Sequence, residues 1–203
     1  MSARIFPEDI LFFQRLLKAE GLYGGGLDGI WGPITEKAAC AFEEQATQLK
    51  NKYGEFDYRS EQHIMSLSLA AQSEARQFLQ RVLNKGIKAK IISGTRTYKE
   101  QNRLYLQGRY GNPGPVVTRV RGGNSHHNFG IAWDIGIFTS SGGYLTNGLP
   151  YDQAAEAGLS PAIEWGGNWK GFVDKPHYQL NTGLNMASIK QRFELGEPLT
   201  MIA

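Results

Sequence analysis

Cysteine is almost absent from this chain. Cys40 is the only one in 203 residues, so no intrachain disulfide can brace the fold. Long apolar runs are missing too, and nothing approaches the roughly eighteen apolar residues of a membrane-spanning helix. The start of the chain does not read as a secretory leader, because Phe6-Pro7-Glu8-Asp9 interrupts it with proline and charge. Charge is nearly balanced, with a formal net of +3. That excess is too mild to indicate a nucleic-acid partner. Internal repeats, heptad runs and low-complexity tracts are also lacking. The length suits one medium domain with a small companion. Cys40, between Ala39 and Ala41 in a helical stretch, is expected to be a small packing residue.

Histidine is scarce as well, and its distribution is uneven. Of the four, His63 stands alone, while His126, His127 and His177 fall in two short segments that also carry Asp134 and Asp174. A single histidine is ordinarily a hydrogen-bonded core or surface group. Two segments that pair imidazoles with carboxylates fit a hydrolytic metal site better: three groups bind the ion, a fourth position stays open, and a nearby carboxylate handles protons. Ile131, Trp133, Ile135 and Ile137 alternate with Ala132, Asp134 and Gly136, the period of a strand. Its second face carries one carboxylate between two very small residues, as if space were kept clear around Asp134. Gly130 allows a turn between His127 and this strand. Pro176 disfavours a helix through His177, and His177-Tyr178-Gln179-Leu180 reads as a short strand with His177 and Gln179 on one face.

Other segments frame these two. Ile87–Ile92 is expected to be a strand, and Thr97 with Glu100 forms a capping box that opens a helix to about Gly108. Arg96, just ahead of that helix, can pair with a carboxylate or a polarised carbonyl. Ala75, Phe78, Leu79, Val82 and Leu83 make an amphipathic helix closed at Gly86. Tyr110–Asn124 and Thr139–Pro150 read as long glycine-bearing loops, and Leu184, Ile189 and Phe193 as a last short helix. Glu164 competes for the proton-handling role, although Trp165 and two glycines beside it suggest a cleft loop.

Ser125-x-His127-x-x-Gly130-x-Ala132-x-Asp134, followed by Asp174-x-x-His177, resembles the VanY/VanX and L-alanyl-D-glutamate endopeptidase superfamily of zinc peptidases (M15-type), which cut peptidoglycan stem peptides. The resemblance covers roughly residues 58 to 195. It implies an α+β catalytic domain of Hedgehog/DD-peptidase type. It further implies zinc (Zn2+) held by His127, Asp134 and His177, with Asp174 as general base and acid. Ser93-Gly94-Thr95-Arg96 through Gln101 is a further signature, and it implies that Arg96 contacts the substrate carboxylate or the developing oxyanion. Gln101, Ser125, Trp165 and Trp169 are weaker substrate-binding candidates; Ser125 caps or orients the His127 loop, and either tryptophan can instead be packing. Aspartate rather than glutamate at 174, after Trp165-Gly166-Gly167-Asn168-Trp169, is similar to the L-alanyl-D-glutamate branch found among bacteriolytic phage endolysins and some autolysins. The alternatives are a D-alanyl-D-alanine carboxypeptidase of the same fold and a non-catalytic cell-wall-binding protein.

Toward the amino terminus, Phe12, Phe13, Leu16 and Leu17 recur at helical spacing up to Gly21, and Pro33 suits the first position of a second helix carrying Ala38, Ala39, Phe42 and Ala46. Gln14, Asp28-Gly29-x-x-Gly32 and Thr35 resemble the three-helix peptidoglycan-binding module of cell-wall hydrolases. Residues 1–50 are therefore expected to form that module and 55–203 the catalytic domain, with polar Asn51–Phe56 as the junction. A helical extension that merely packs on the enzyme is the plainer reading. The resemblance implies peptidoglycan as partner; the mild charge and the lack of a long apolar run argue against nucleic acid and membrane insertion, and a monomer is expected. Made in the cytoplasm without a leader, such a protein needs a holin or secretion apparatus to reach the wall.

Overall fold

The computed structural model describes residues 7–199. The first six residues of the expected amino-terminal module lie outside that range. The fold is α+β, seven α-helices and five strands among the described residues. The described residues divide into two compact units, one drawn from residues 7–44, 96–129 and 183–199, the other from 45–95 and 130–182.

The second unit is built on an antiparallel sheet. Its strands are β1 (Ala89–Ser93), β2 (Ala132–Phe138), β3 (Tyr144–Leu145), β4 (Ile163–Trp165) and β5 (His177–Leu180). The order is β1-β2-β5-β4, with β3 also paired to β2. Residue alternation divides the sheet's chemistry between its faces. On one face Trp133, Tyr178 and Trp165 stack across three strands, at centroid spacings of 6.3 and 6.4 Å. Phe78, from α4 (Leu69–Asn84), packs its ring against Tyr178 and Trp133. The helix α6 (Leu149–Gly158) lies on α4. Its last residue must be small, because a Cβ on Gly158 would meet the Phe78 ring at 2.3 Å. The opposite face carries Asp134, His177, Gln179 and Glu164. Register pairs Asp134 with His177 across β2–β5 and Glu164 with Gln179 across β4–β5.

A short helix, α3 (Tyr58–Met65), packs on β1 and is tied to α4 by a buried ion pair. Arg76, fully buried, forks onto Glu61 with both bonds at 2.8 Å. Burial pushes the Glu61 carboxyl up, but the Arg76 hydrogen bonds, the backbone N–H of Phe56 and the Arg76 charge outweigh it. The group sits below its ordinary value.

In the other unit, α1 (Pro7–Ala19) packs against α7 (Met186–Leu195). Phe12, Tyr98, Phe129 and Phe193 form one ring cluster, with Phe193 lying 5.1 Å from Phe12 and 5.4 Å from Phe129. Tyr98 opens α5 (Tyr98–Leu106), whose Thr97/Glu100 capping box is formed as expected. The helix α2 (Pro33–Tyr53) begins at the expected proline and runs through Asn51–Tyr53, so part of the expected polar junction is helical. Gln14, fully buried, organises the Asp28-Gly29 turn. Its carbonyl accepts from the Gly29 N–H at 2.9 Å, and its amide donates to the Asp28 carboxylate at 2.9 Å and to the Ile30 carbonyl at 3.0 Å. Gly29 takes φ +72°, which glycine adopts without a steric penalty.

Several expectations need correction. Cys40 is exposed rather than packed, because it falls on the outer side of α2 while Ala38, Ala39 and Phe42 turn inward. Glu164 and Trp165 belong to strand β4, not to a loop. The segment Thr139–Pro150 contains β3 and the start of α6. The space over Gly136 is not clear: Ile92, Tyr144 and Phe138 close over it, so that a Cβ there would meet them at 3.0–3.2 Å.

Candidate metal centre

His127 lies on a single 3₁₀ turn, His126–Phe129, just ahead of β2. Phe129, buried in the ring cluster, anchors that turn, and the Asn128 N–H closes it on the Ser125 carbonyl at 2.8 Å. Gly130 follows with φ +71°, the left-handed geometry that redirects the chain into the strand. Asp134 stands on β2 and His177 opens β5 directly across from it. His127, Asp134 and His177 each offer one ligand atom, and the three atoms lie within 4.8 Å of one another. Among the described residues no other three His, Cys, Asp or Glu side chains gather in this way.

Both imidazoles are buried and Asp134 is half-buried. His177 Nδ1 sits 3.1 Å from Asp134 Oδ1, near the roughly 3.3 Å that separates two ligands of a tetrahedral zinc. Two imidazole nitrogens and a carboxylate oxygen are a donor set that suits a divalent transition metal, so the residues present fit such an ion. Burial alone would lower the His177 pKa. The Asp134 carboxylate, by hydrogen bond and by charge, reverses this together with Gln179 and Asp174, and the group is held above its ordinary value.

Asp174 is half-buried on the turn that leads into β5. Its N–H donates to the Gly166 carbonyl at 3.0 Å and its carbonyl accepts from the His177 N–H at 3.2 Å. Gly166 makes this close approach feasible: a Cβ there would meet the Asp174 carbonyl oxygen at 2.5 Å and the His177 Cβ at 3.2 Å. Trp169 lies against the His177 ring, centroids 5.0 Å apart. Trp165 is on the other face of the sheet, stacked on Tyr178, and its Nε1 donates to the Lys175 carbonyl at 2.8 Å. Its indole thereby braces the Asp174–His177 turn from behind.

Arg96 is half-buried, and its guanidinium donates to Gln101 Oε1 at 3.0 Å. Gln101, fully buried, in turn donates to the Thr118 hydroxyl at 3.1 Å and the Val120 carbonyl at 3.0 Å, pinning the long loop that follows α5. The Arg96 N–H donates to the His127 carbonyl at 3.0 Å, and the Asn128 amide donates to the Arg96 carbonyl at 2.9 Å. Arg96 and the His127 turn are thus one hydrogen-bonded piece. Asn128 was not picked out as a site residue from the sequence. An amide beside a ligand histidine gives no periodic signal, and its value emerges only from the contacts it makes. Gln179 was noticed only as sharing a face with His177; its side chain in fact touches the ring, Oε1 lying 3.0 Å from His177 Nε2.

Residues 118–180 match the family model described as D-alanyl-D-alanine carboxypeptidase, of the M15 peptidases. Over that segment the chain is similar to the M15 peptidases. The segment holds His127, Asp134, Asp174 and His177. A curated relative, the peptidoglycan L-alanyl-D-glutamate endopeptidase CwlK of Bacillus subtilis (strain 168), is 38% identical over 107 residues, 48% of this chain and 63% of the relative. The chain thus spans less than two thirds of that relative's length. Among solved structures, the Serratia marcescens L-Ala D-Glu endopeptidase ChiX aligns with TM-score 0.47 and 24% identity, over 63% of this chain and 90% of that one.

Proposed function

We propose that this protein is a zinc-dependent peptidoglycan endopeptidase that cuts the L-alanyl-D-glutamate bond of the stem peptide. The observation that carries the reading is the gathering of His127, Asp134 and His177, with Asp174 on the turn that delivers His177. The name of the relative CwlK supports the choice of bond. His127, Asp134 and His177 would hold the zinc, which when bound supplies Lewis-acid polarisation of a carbonyl and acidifies water. Asp174 takes the proton of the attacking water and delivers it to the leaving amine. Arg96, held by Gln101, steadies the charge that develops on the scissile carbonyl oxygen. Trp169, Ser125 and Gln101 line or orient the substrate groove, and Trp165 supports it from the far face of the sheet.

Residues 1–50 serve as a peptidoglycan-binding module and 55–203 as the catalytic domain, acting on the cell wall. Bacteriolytic action of the endolysin kind follows from that placement. No helix among the described residues is long and apolar enough to cross a membrane. A second reading, D-alanyl-D-alanine carboxypeptidase, draws on the description of the matching family model, and Arg96 supplies the cation a terminal carboxylate would need. Digestion of purified sacculi separates the two. The endopeptidase exposes new amino-terminal D-glutamate and leaves terminal D-alanine in place. Free D-alanine as the main product overturns the proposal in favour of the second reading.

A further inference from the structure

Behind His177 the sheet carries a short polar chain that the reaction above does not use. His177 Nε2 lies 3.0 Å from the Gln179 side-chain oxygen, and the Gln179 amide nitrogen donates to Glu164 Oε2 at 2.8 Å. Register produces this chain. His177 and Gln179 are two apart on β5 and share a face, and Glu164 is the direct cross-strand partner of Gln179 on β4. Gln179 is buried, while Glu164 is exposed and its carboxylate stays hydrated.

The chemistry of the three groups fixes their orientation. An ionised carboxylate only accepts hydrogen bonds, so Glu164 requires the NH₂ end of Gln179. The carbonyl end of the amide then faces His177, and it too only accepts. Nε2 of His177 must therefore carry the proton, which in the neutral ring leaves the lone pair on Nδ1. Nδ1 is the nitrogen that faces Asp134 Oδ1 at 3.1 Å. Two lone pairs at that separation repel unless a proton or a metal ion lies between them, and when the ring is neutral the metal fills that place.

We propose that Gln179 and Glu164 are positioning residues that lock His177 in the tautomer presenting Nδ1 to the metal. The idea rests on the metal-site reading given above. Outer partners of ligand histidines commonly fix tautomer and ring orientation, and their loss costs about 10–100-fold in metal affinity. Here the partner is an amide, which could flip and offer its NH₂ end to the ring. Glu164 is what holds it the right way round.

The test uses the full-length chain. Zinc affinity is measured by competition with a chromophoric chelator, and the His177 tautomer is read from ring ¹⁵N shifts of the zinc-loaded protein. Wild type is expected to show a protonated Nε2 and a metal-bound Nδ1. Gln179→Leu should bind zinc about 10–100-fold more weakly while keeping a folded circular dichroism spectrum. Glu164→Leu should weaken binding less and broaden or split the His177 ring signals as the amide flips. Glu164→Gln, which can still accept from the amide, should restore both. Unchanged affinity in Gln179→Leu, or a zinc-bound Nε2 in wild type, overturns the relay and leaves the metal site standing. Should Gln179→Leu not fold, the wild-type ring shifts decide alone. Failure of wild type to bind zinc overturns the metal-site reading and the relay with it.

Discussion

Ligand and base roles at the candidate centre can be told apart by what each side chain touches. His127 and His177 are buried with nitrogens turned into the three-atom cluster, so removing one imidazole removes a donor. His127→Ala is expected to lose metal and activity together, as read by atomic emission and by release of muropeptides. Asp174 lies on the turn beside His177 and is not one of the three clustered donors. Asp174→Ala should keep its zinc and lose on the order of a hundredfold or more in turnover, the usual weight of a general base. Full zinc occupancy in His127→Ala, or an active Asp174→Ala, contradicts these assignments. Gly166 gives a second test. Its hydrogen touches the Asp174 carbonyl oxygen, which a methyl group would crowd at 2.5 Å, and that oxygen is backbone rather than a side chain free to swing. Gly166→Ala should therefore cost about 1–3 kcal/mol. It should also depress activity more than stability alone explains, because Asp174 shifts with its own backbone. A variant with wild-type melting temperature and turnover would show that the turn can yield.

The buried Glu61–Arg76 pair between α3 and α4 makes stability depend on pH in a defined direction. The Glu61 carboxyl is depressed in the folded protein, so its contribution is present above the unfolded value of about 4.3 and fades as pH falls through the lower folded value. Glu61→Gln leaves the Arg76 guanidinium buried without a counter-charge and should cost about 3–5 kcal/mol near neutral pH. Denaturant midpoints for the two proteins should converge below about pH 4. A gap that stays constant into acid would assign the loss to packing instead. Neither α3 nor this pair was foreseen from the sequence, and the reason is physical. Eight residues are too few for a helical period to stand out, and an Arg–Glu contact across fifteen residues leaves no local trace. By contrast β2 and β5 were legible because alternation and Pro176 act within a few residues, and α5 because its capping box is local. Strand β4, three residues long, exists only because β5 pairs with it, so nothing in Ile163–Trp165 alone announces it. Three of the four buried residues of α6 are Ala154, Ala155 and Gly158, which leaves little hydrophobic contrast to detect. The cluster of His127 and Asp134 was legible for the same reason as β2, since both lie on one short local pattern. The relay through Gln179 and Glu164 was not, because it depends on register.

Under the proposed function, engagement of an insoluble wall turns on the amino-terminal signature. Gln14, Asp28, Gly29 and Thr35 spend their polar groups on one another, so the motif that resembles a wall-binding module holds a loop in shape rather than meeting a ligand itself. Among the side chains that this loop and the start of α2 present outward, three are large and apolar: Ile30 is 66% exposed, Ile34 61% and Trp31 37%. Deleting the segment would be an ambiguous experiment, because Phe12 packs on Phe193 and its loss would uncover a core ring. Substituting the exposed residues avoids this, since changes at such positions ordinarily shift stability by about 0.5 kcal/mol or less. In an Asp174→Ala background that cannot digest its target, Ile30→Ser with Ile34→Ser should leave melting unchanged. The same pair should weaken co-sedimentation with sacculi on the order of tenfold, equivalent to about 1.4 kcal/mol of lost binding. If the doubly substituted protein sediments with sacculi as tightly as its parent, residues 1–50 are a packing extension, and affinity for the wall resides in the catalytic groove.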